Sequence, residues 1–243
     1  MEINRISLSE VDSTNNYAAK LILEGKVPHA TVISALHQTQ GRGQRSNVWK
    51  TAAGQNITAS WIFHFNTSNF EQLVCLNKAI SLALRNTISD WLPGEMVQIK
   101  WPNDIYVNQN KISGTLIETH MHADKTSTLI CGVGINVYQT EFESSKATSL
   151  KAVQKDFNQS LDELLVQLHH SLLKALEEYG KQPSGPWLQE YTHLLMGYQQ
   201  KRNFIVQNQS LAGTVQGVDQ WGRLMILTEK GIEYFQAGEI IWQ

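Results

Sequence analysis

From Val97 to Thr119 the chain holds three strand-like apolar runs separated only by tight turns. Val97–Trp101 yields at Pro102-Asn103-Asp104 to Ile105–Val107, and Asn108-Gln109-Asn110 turns the chain into Ile112–Thr119. A parallel pair needs a crossover of about a dozen residues or more. Turns this short cannot supply one, so these strands are expected to pair antiparallel.

The flanking segments set the rest of the fold class. Strands are expected at Ile3–Leu8, Thr31–Leu36, Ile57–Phe65 and Leu129–Val137, the last interrupted by Gly132 and Gly134. Asp12-Ser13-Thr14-Asn15 supplies helix N-cap chemistry for a helix over Tyr17–Glu24, which Gly25 stops. In Phe70–Trp91, Leu73, Leu76, Ala79, Ile80, Ala83, Leu84 and Ile88 recur at helical spacing. Leu161, Leu164, Leu165, Leu168, Leu172, Ala175 and Tyr179 do the same over Leu161–Tyr179. One more helix is expected at Trp187–Leu195. With antiparallel strands and helices grouped in blocks, the fold class is α+β with a mixed or antiparallel sheet, not a doubly wound parallel one.

Beyond these helices the character changes. Asn203–Val206, Gly213–Val218, Leu224–Leu227 and Ile232–Phe235 are short strands with close turns, the signature of a small β-barrel. Two domains are therefore expected, 1–196 and 197–243. The smaller can bury little surface alone and should dock on the larger.

Composition excludes several classes. The 243 residues are 42% hydrophobic and 17% charged, so a substantial core is available and disorder is not expected. A formal net charge of −2 argues against a general nucleic-acid binder. The chain shows neither an apolar signal segment at its start nor a membrane-spanning run, and cytoplasmic residence is expected. Cys75 and Cys131 sit far apart in apolar surroundings and read as buried free thiols. His120-Met121-His122 and His169-His170 lack a ligand set, so no protein-held metal is expected and they read as surface or helix-face histidines.

Against this background a few stretches stand out. Gly41-Arg42-Gly43-Gln44-Arg45-Ser46-Asn47-Val48-Trp49 combines close-approach glycines with guanidinium forks suited to carboxylate or phosphate. Lys100, in Lys100-Trp101-Pro102-Asn103-Asp104, reads either as a snorkelling edge residue or as a fixed charge facing a cleft. Lys111-Ile112-Ser113-Gly114 brings a second lysine back near the first. Gly132-Val133-Gly134-Ile135-Asn136 reads either as a bulged core strand or as a strand that lets a ligand or another backbone approach closely.

Taken in order with Asp12-Ser13-Thr14-Asn15 and Gln38-Thr39-Gln40-Gly41-Arg42-Gly43, these motifs resemble the biotin–protein ligase family, that is, biotin–[acetyl-CoA-carboxylase] ligases. The resemblance implies a class II synthetase-like biotin/lipoate ligase core followed by an SH3-like barrel. It implies activation of biotin by ATP and Mg²⁺ to biotinoyl-5′-AMP, then transfer to a lysine of a biotin carboxyl carrier domain. Ser13, Thr14, Asn15, Gln38, Arg42, Gly43, Gln44 and Lys100 would form the biotin site. Arg42, Arg45, Trp49, Asn103, Lys111, Gly114 and Asn136 would hold ATP or the adenylate. Lys100, Arg42 and Asp104 are the implied catalytic set, with Asp104 positioning or deprotonating the acceptor lysine. The glycine-arginine loop would also close over the mixed anhydride and exclude water.

The chain departs from the family in two respects. No helix-turn-helix domain precedes the core, so operator DNA is not an expected partner. Gln44 stands where the family usually has arginine, leaving Arg42 and Arg45 as the loop's charges. Rival readings are a lipoate or octanoate ligase on the same fold, and a non-catalytic protein working through its C-terminal barrel. A monomer or weak homodimer is expected, with no membrane partner.

Overall fold

The first two strands run parallel because a helix joins them. In the computed structural model, which describes residues 3–25, 27–45, 47–180 and 184–243, β1 (Arg5–Val11) leads through α1 (Thr14–Glu24) into β2 (Thr31–Gln38). Their register runs from Arg5 opposite Val32 to Val11 opposite Gln38. The chain continues through β3 (Asn56–Phe65), α2 (Phe70–Trp91), β4 (Val97–Lys100), β5 (Asp104–Val107), β6 (Asn110–Met121) and β7 (Ser127–Asn136). These complete a seven-stranded sheet in the order β1-β2-β3-β7-β6-β5-β4. Every neighbour pair except β1–β2 is antiparallel, including the β4–β5–β6 meander that the tight turns require. Asn108 and Gln109 turn that meander with positive φ at both positions, 48° and 69°, as a two-residue hairpin loop needs.

The elements differ from expectation in several places. The first strand starts at Arg5 instead of Ile3 and runs to Val11. α1 starts at Thr14 instead of Tyr17, which puts Thr14 and Asn15 in its first turn, behind the N-cap Ser13. β7 is not interrupted at its glycines: it pairs without a break with β3, from Asn56 opposite Asn136 to Phe65 opposite Ser127, and with β6. The register shifts instead between β5 and β6, where Ile105 is opposite Ser113 and Tyr106 opposite Lys111, so that Ile112 of β6 is the extra residue.

Strand alternation divides the core in two. Trp61 and Phe63 of β3 and Leu129, Cys131 and Val133 of β7 face α2 and α4 (Leu161–Gly180), which follows the short α3 (Leu150–Val153). On the other face Ile33, Ile62 and Ile130 pack against Ala18 of α1. Burying one such large apolar side chain contributes about 1.5–3 kcal/mol. Cys131 is fully enclosed and burial pushes its thiol up to about 12; Cys75 is only half-buried, and neither forms a disulfide.

After α5 (Trp187–His193) come β8 (Lys201–Val206), β9 (Gln209–Val218), β10 (Leu224–Thr228), β11 (Gly231–Phe235) and β12 (Ile240–Trp242), the last not expected from sequence. They form a five-stranded antiparallel sheet ordered β11-β10-β9-β8-β12. Its inward residues Phe204, Val215, Leu224, Ile226, Phe235 and Ile240 join the main core. The buried Lys78 of α2 donates to the carbonyls of Val218 and Asp219 at 3.0 and 2.9 Å, and Trp101 Nε1 donates to Gly222 O at 3.0 Å. These bonds fix the small sheet beside the end of β4, where the site lies. No helix among the described residues is long and apolar enough to cross a membrane.

Candidate functional site

A cavity of about 330 Å³ opens on the α1 face of the large sheet. The start of α1, the end of β2, the glycine-arginine loop, the β4–β5 turn, β6, β7 and the last strand, β12, all contribute to its wall. The strand pairing explains this convergence. Lys100 is opposite Asp104, Asp104 is opposite Gly114 and Gly114 is opposite Gly134, so one row across four strands carries the chemistry.

One part of the wall is a hydrogen-bonded polar network. Ser13 makes no side-chain cap bond; the Thr14 N–H instead donates to Gln38 Oε1 at 2.8 Å, and Thr14 Oγ1 donates to the same oxygen at 3.1 Å. Ser60, fully buried on β3 and unsuspected from sequence, lies 2.7 Å from Thr14 Oγ1 and 2.6 Å from Asn15 Oδ1. Asn15 Nδ2 donates to Glu118 Oε2 at 2.7 Å and to Leu116 O at 3.2 Å. Gly132 makes room for this arrangement. A Cβ there would sit 2.9 Å from Asn15 Cγ and closer still to Oδ1.

Opposite stand the cations. Lys100 Nζ donates to Tyr106 Oη at 3.1 Å and lies 4.7 Å from the centre of that ring. Burial holds the Lys100 ammonium below the ordinary lysine value, against the opposing pull of Asp104. The Tyr106 hydroxyl is raised, by burial first and Asp104 second. Lys111 Nζ pairs with Asp104 Oδ1 at 2.7 Å and lies 5.4 Å from the Trp49 ring centre. Asn103 Nδ2 donates to Thr115 O, which ties the turn after the cis Trp101–Pro102 bond to β6.

The glycine-arginine loop is a hairpin. Arg42 bridges Val48, Gly43 N donates to Asn47 O at 2.8 Å and Trp49 N donates to Gly41 O at 2.9 Å; Ser46 lies outside the described residues. Arg42 grips Glu118 with both guanidinium nitrogens, Nη2 to Oε1 at 2.7 Å and Nη1 to Oε2 at 3.2 Å. Arg45 has positive φ, 60°, and its guanidinium lies over Gly238 and donates to Ala237 O. Gln44 lies on the wall shared with a second cavity of about 630 Å³ behind the β4–β5 turn.

Of the residues expected at the site, Ser13, Thr14, Asn15, Gln38, Arg42, Gly43, Gln44, Arg45, Trp49, Lys100, Asn103, Asp104, Lys111 and Gly114 line this one cavity. Asn136 is not among them. At the end of β7 its Nδ2 donates to Thr148 O at 2.9 Å, in a buried setting away from the cavity wall. Sequence reading missed Ser60 and Glu118, which lie behind the wall, and the β12 residues Ile240–Trp242 that line it. The histidines lie elsewhere: His169 is buried on α4 and accepts from Trp61 Nε1 at 3.2 Å, and His122 pairs with Thr128. Among the described residues no group of three or more His, Cys, Asp or Glu could hold a metal ion.

Comparison with known proteins identifies the family. The profile of the Biotin/lipoate A/B protein ligase family matches residues 8–136, and that of the Biotin protein ligase C terminal domain matches 203–242. The chain is 26% identical to the Bifunctional ligase/repressor BirA of Escherichia coli over 235 residues, covering 96% of this chain and 72% of that protein. It is also 26% identical to the Biotin–[acetyl-CoA-carboxylase] ligase of Paracoccus denitrificans over 254 residues, covering 97% and 99%. Among solved structures, the biotin protein ligase of Aquifex aeolicus in complex with biotin and ATP superposes with a TM-score of 0.74 at 26% identity, covering 99% and 98%.

Proposed function

The chain belongs to the Biotin/lipoate A/B protein ligase family, and on that premise we propose that it is a biotin–protein ligase. It would activate biotin with MgATP and pass the biotinoyl group to a lysine of a biotin carboxyl carrier domain. The observation that carries this reading is the single cavity in which a neutral polar network faces two lysines and an arginine loop. One side suits the donors and acceptor of a ureido ring; the other suits a carboxylate meeting a triphosphate. The solved ligase of Aquifex aeolicus, in complex with biotin and ATP, supports the same ligand pair.

In the first half-reaction a biotin carboxylate oxygen attacks the α-phosphorus of ATP, the bond to the pyrophosphate oxygen breaks, and pyrophosphate leaves. Both reactants are anions, so catalysis is charge neutralisation and alignment, the part assigned to Lys100, Lys111 and Arg42. Mg²⁺ would enter as part of the nucleotide substrate, since the nearby carboxylates Asp104 and Glu118 are already paired with Lys111 and Arg42. In the second half-reaction the carrier amine attacks the acyl carbon and AMP leaves. We assign the amine's proton to Asp104, which must exchange its bond to Lys111 to accept it.

Incubation of a biotin carboxyl carrier domain with this protein, biotin and MgATP, followed by intact-mass spectrometry, tests the proposal. A gain of one biotinoyl group on the acceptor lysine is expected. Transfer of lipoate or octanoate in place of biotin, or no transfer of any of them, overturns it.

A further inference from the structure

Glu118 is absent from the cavity wall, yet its carboxylate joins the two halves of the site. Oε1 takes Arg42 Nη2 at 2.7 Å, and Oε2 takes both Arg42 Nη1, at 3.2 Å, and Asn15 Nδ2, at 2.7 Å. Arg42 Nη1 also donates to Asn16 Oδ1 at 2.8 Å, and Asn16 Nδ2 to Asp12 Oδ2 at 2.6 Å. The polar network around Ser60 and the arginine loop therefore meet at one oxygen. Strand alternation puts Glu118 there, since it shares a face of β6 with Gly114 and Leu116 of the wall.

We infer that Glu118 is a positioning residue, which sets the orientation of Arg42 over the cavity and of Asn15 within it; this rests on the ligase reading above. A forked carboxylate–guanidinium pair fixes the plane of the arginine as well as its place. Without it, a side chain that is 42% exposed would sample many rotamers, and each encounter with an anion would have to order it anew. The pair contributes little to folding, because exposed ion pairs are worth about 1 kcal/mol or less. Its effect is felt when ligand is held.

The test measures release of preformed biotinoyl-5′-AMP and the KM for biotin in wild type, Glu118→Gln and Glu118→Ala. Glu118→Gln keeps the volume and an acceptor for Asn15 while removing the charge. Release about tenfold faster is expected in both variants, the scale of one charge-assisted hydrogen bond, with Tm lowered by less than about 4 °C. In an Arg42→Ala background the same Glu118 changes are expected to act less than about threefold, because coupled residues are not additive. Unchanged release, or the same fold-change in both backgrounds, overturns the inference. Absence of adenylate formation by wild type would instead overturn the ligase reading itself.

Discussion

Gly134→Ala isolates what the β7 glycines do. A Cβ on Gly134 would lie 2.6 Å from Trp49 Cζ2 and closer still to Cε2 and Nε1. All three atoms belong to one rigid ring, so the indole must retreat by roughly 1 Å to regain ordinary contact at about 3.5–4.0 Å. Gly134 is a regularly paired strand residue, opposite Thr58 and Gly114. Alanine there would by itself stabilise the strand by about 0.5–1 kcal/mol. Overpacking costs about 1–3 kcal/mol and outweighs that gain unless something moves. Trp49 sits on a loop while Gly134 is locked between two strands, so the indole moves and the sheet stays. The fold is then nearly unchanged, whereas Trp49 loses its seat and its place beside Lys111. Stacking of a base on an aromatic side chain is worth about 1–3 kcal/mol, so the KM for ATP should rise roughly 5- to 150-fold. Biotin-dependent ATP–pyrophosphate exchange at varied ATP, with Tm in parallel, measures both quantities. Gly132→Ala is the matched control: it displaces Asn15 and should raise the KM for biotin instead. A Gly134→Ala enzyme whose KM for ATP stays within twofold of wild type would refute the reasoning.

Three further outcomes are expected. Asp104→Asn should form adenylate within a few-fold of the wild-type rate but transfer biotin from preformed adenylate about a hundredfold more slowly; stopped-flow transfer at the normal rate would remove Asp104 from the proton path. Gln44→Arg should slow escape of biotinoyl-5′-AMP several-fold by adding a charged donor to the loop, and an unchanged rate would mean that the existing charges already hold the adenylate. Burial, followed by the charge of His170, lowers the pKa of His169, whose Nδ1 accepts from Trp61. The unfolded chain therefore binds this proton more readily than the folded one, so its contribution is complete above about pH 6.5 and shrinks as pH falls through the window below. The urea midpoint should drop between pH 7.5 and pH 5.5, and His169→Gln should flatten that dependence; an identical slope in the variant would contradict it.

Much of the site was legible because its motifs are local. The turn chemistry at Pro102–Asp104 and Asn108–Asn110 fixes an antiparallel meander, and the meander alone brings Lys100, Asp104 and Lys111 together. The helical spacing over Phe70–Trp91 is equally local, and that helix has the boundaries its pattern implies. Asn136 lies off the cavity wall, and a strand-end asparagine reads the same in sequence whether it faces a ligand or a carbonyl such as that of Thr148. Ser60 and Glu118 left no signal, since a serine or glutamate in a strand is ordinary until its partner across the sheet is known.

The sequence by itself determined most of the element types, though not α3 or β12, together with the antiparallel meander and the residue chemistry of the loop, all consequences of steric and hydrogen-bonding preferences acting over a few residues. Tertiary structure alone decided the partners. Strand register and packing place Gly132 under Asn15 and Gly134 under Trp49 and set Glu118 within reach of Arg42, and the docking of the C-terminal sheet brings the Ala237 carbonyl, in the turn before β12, to Arg45. Those contacts join positions far apart in the chain, and register is a collective property of the packed sheet that no short window of sequence encodes.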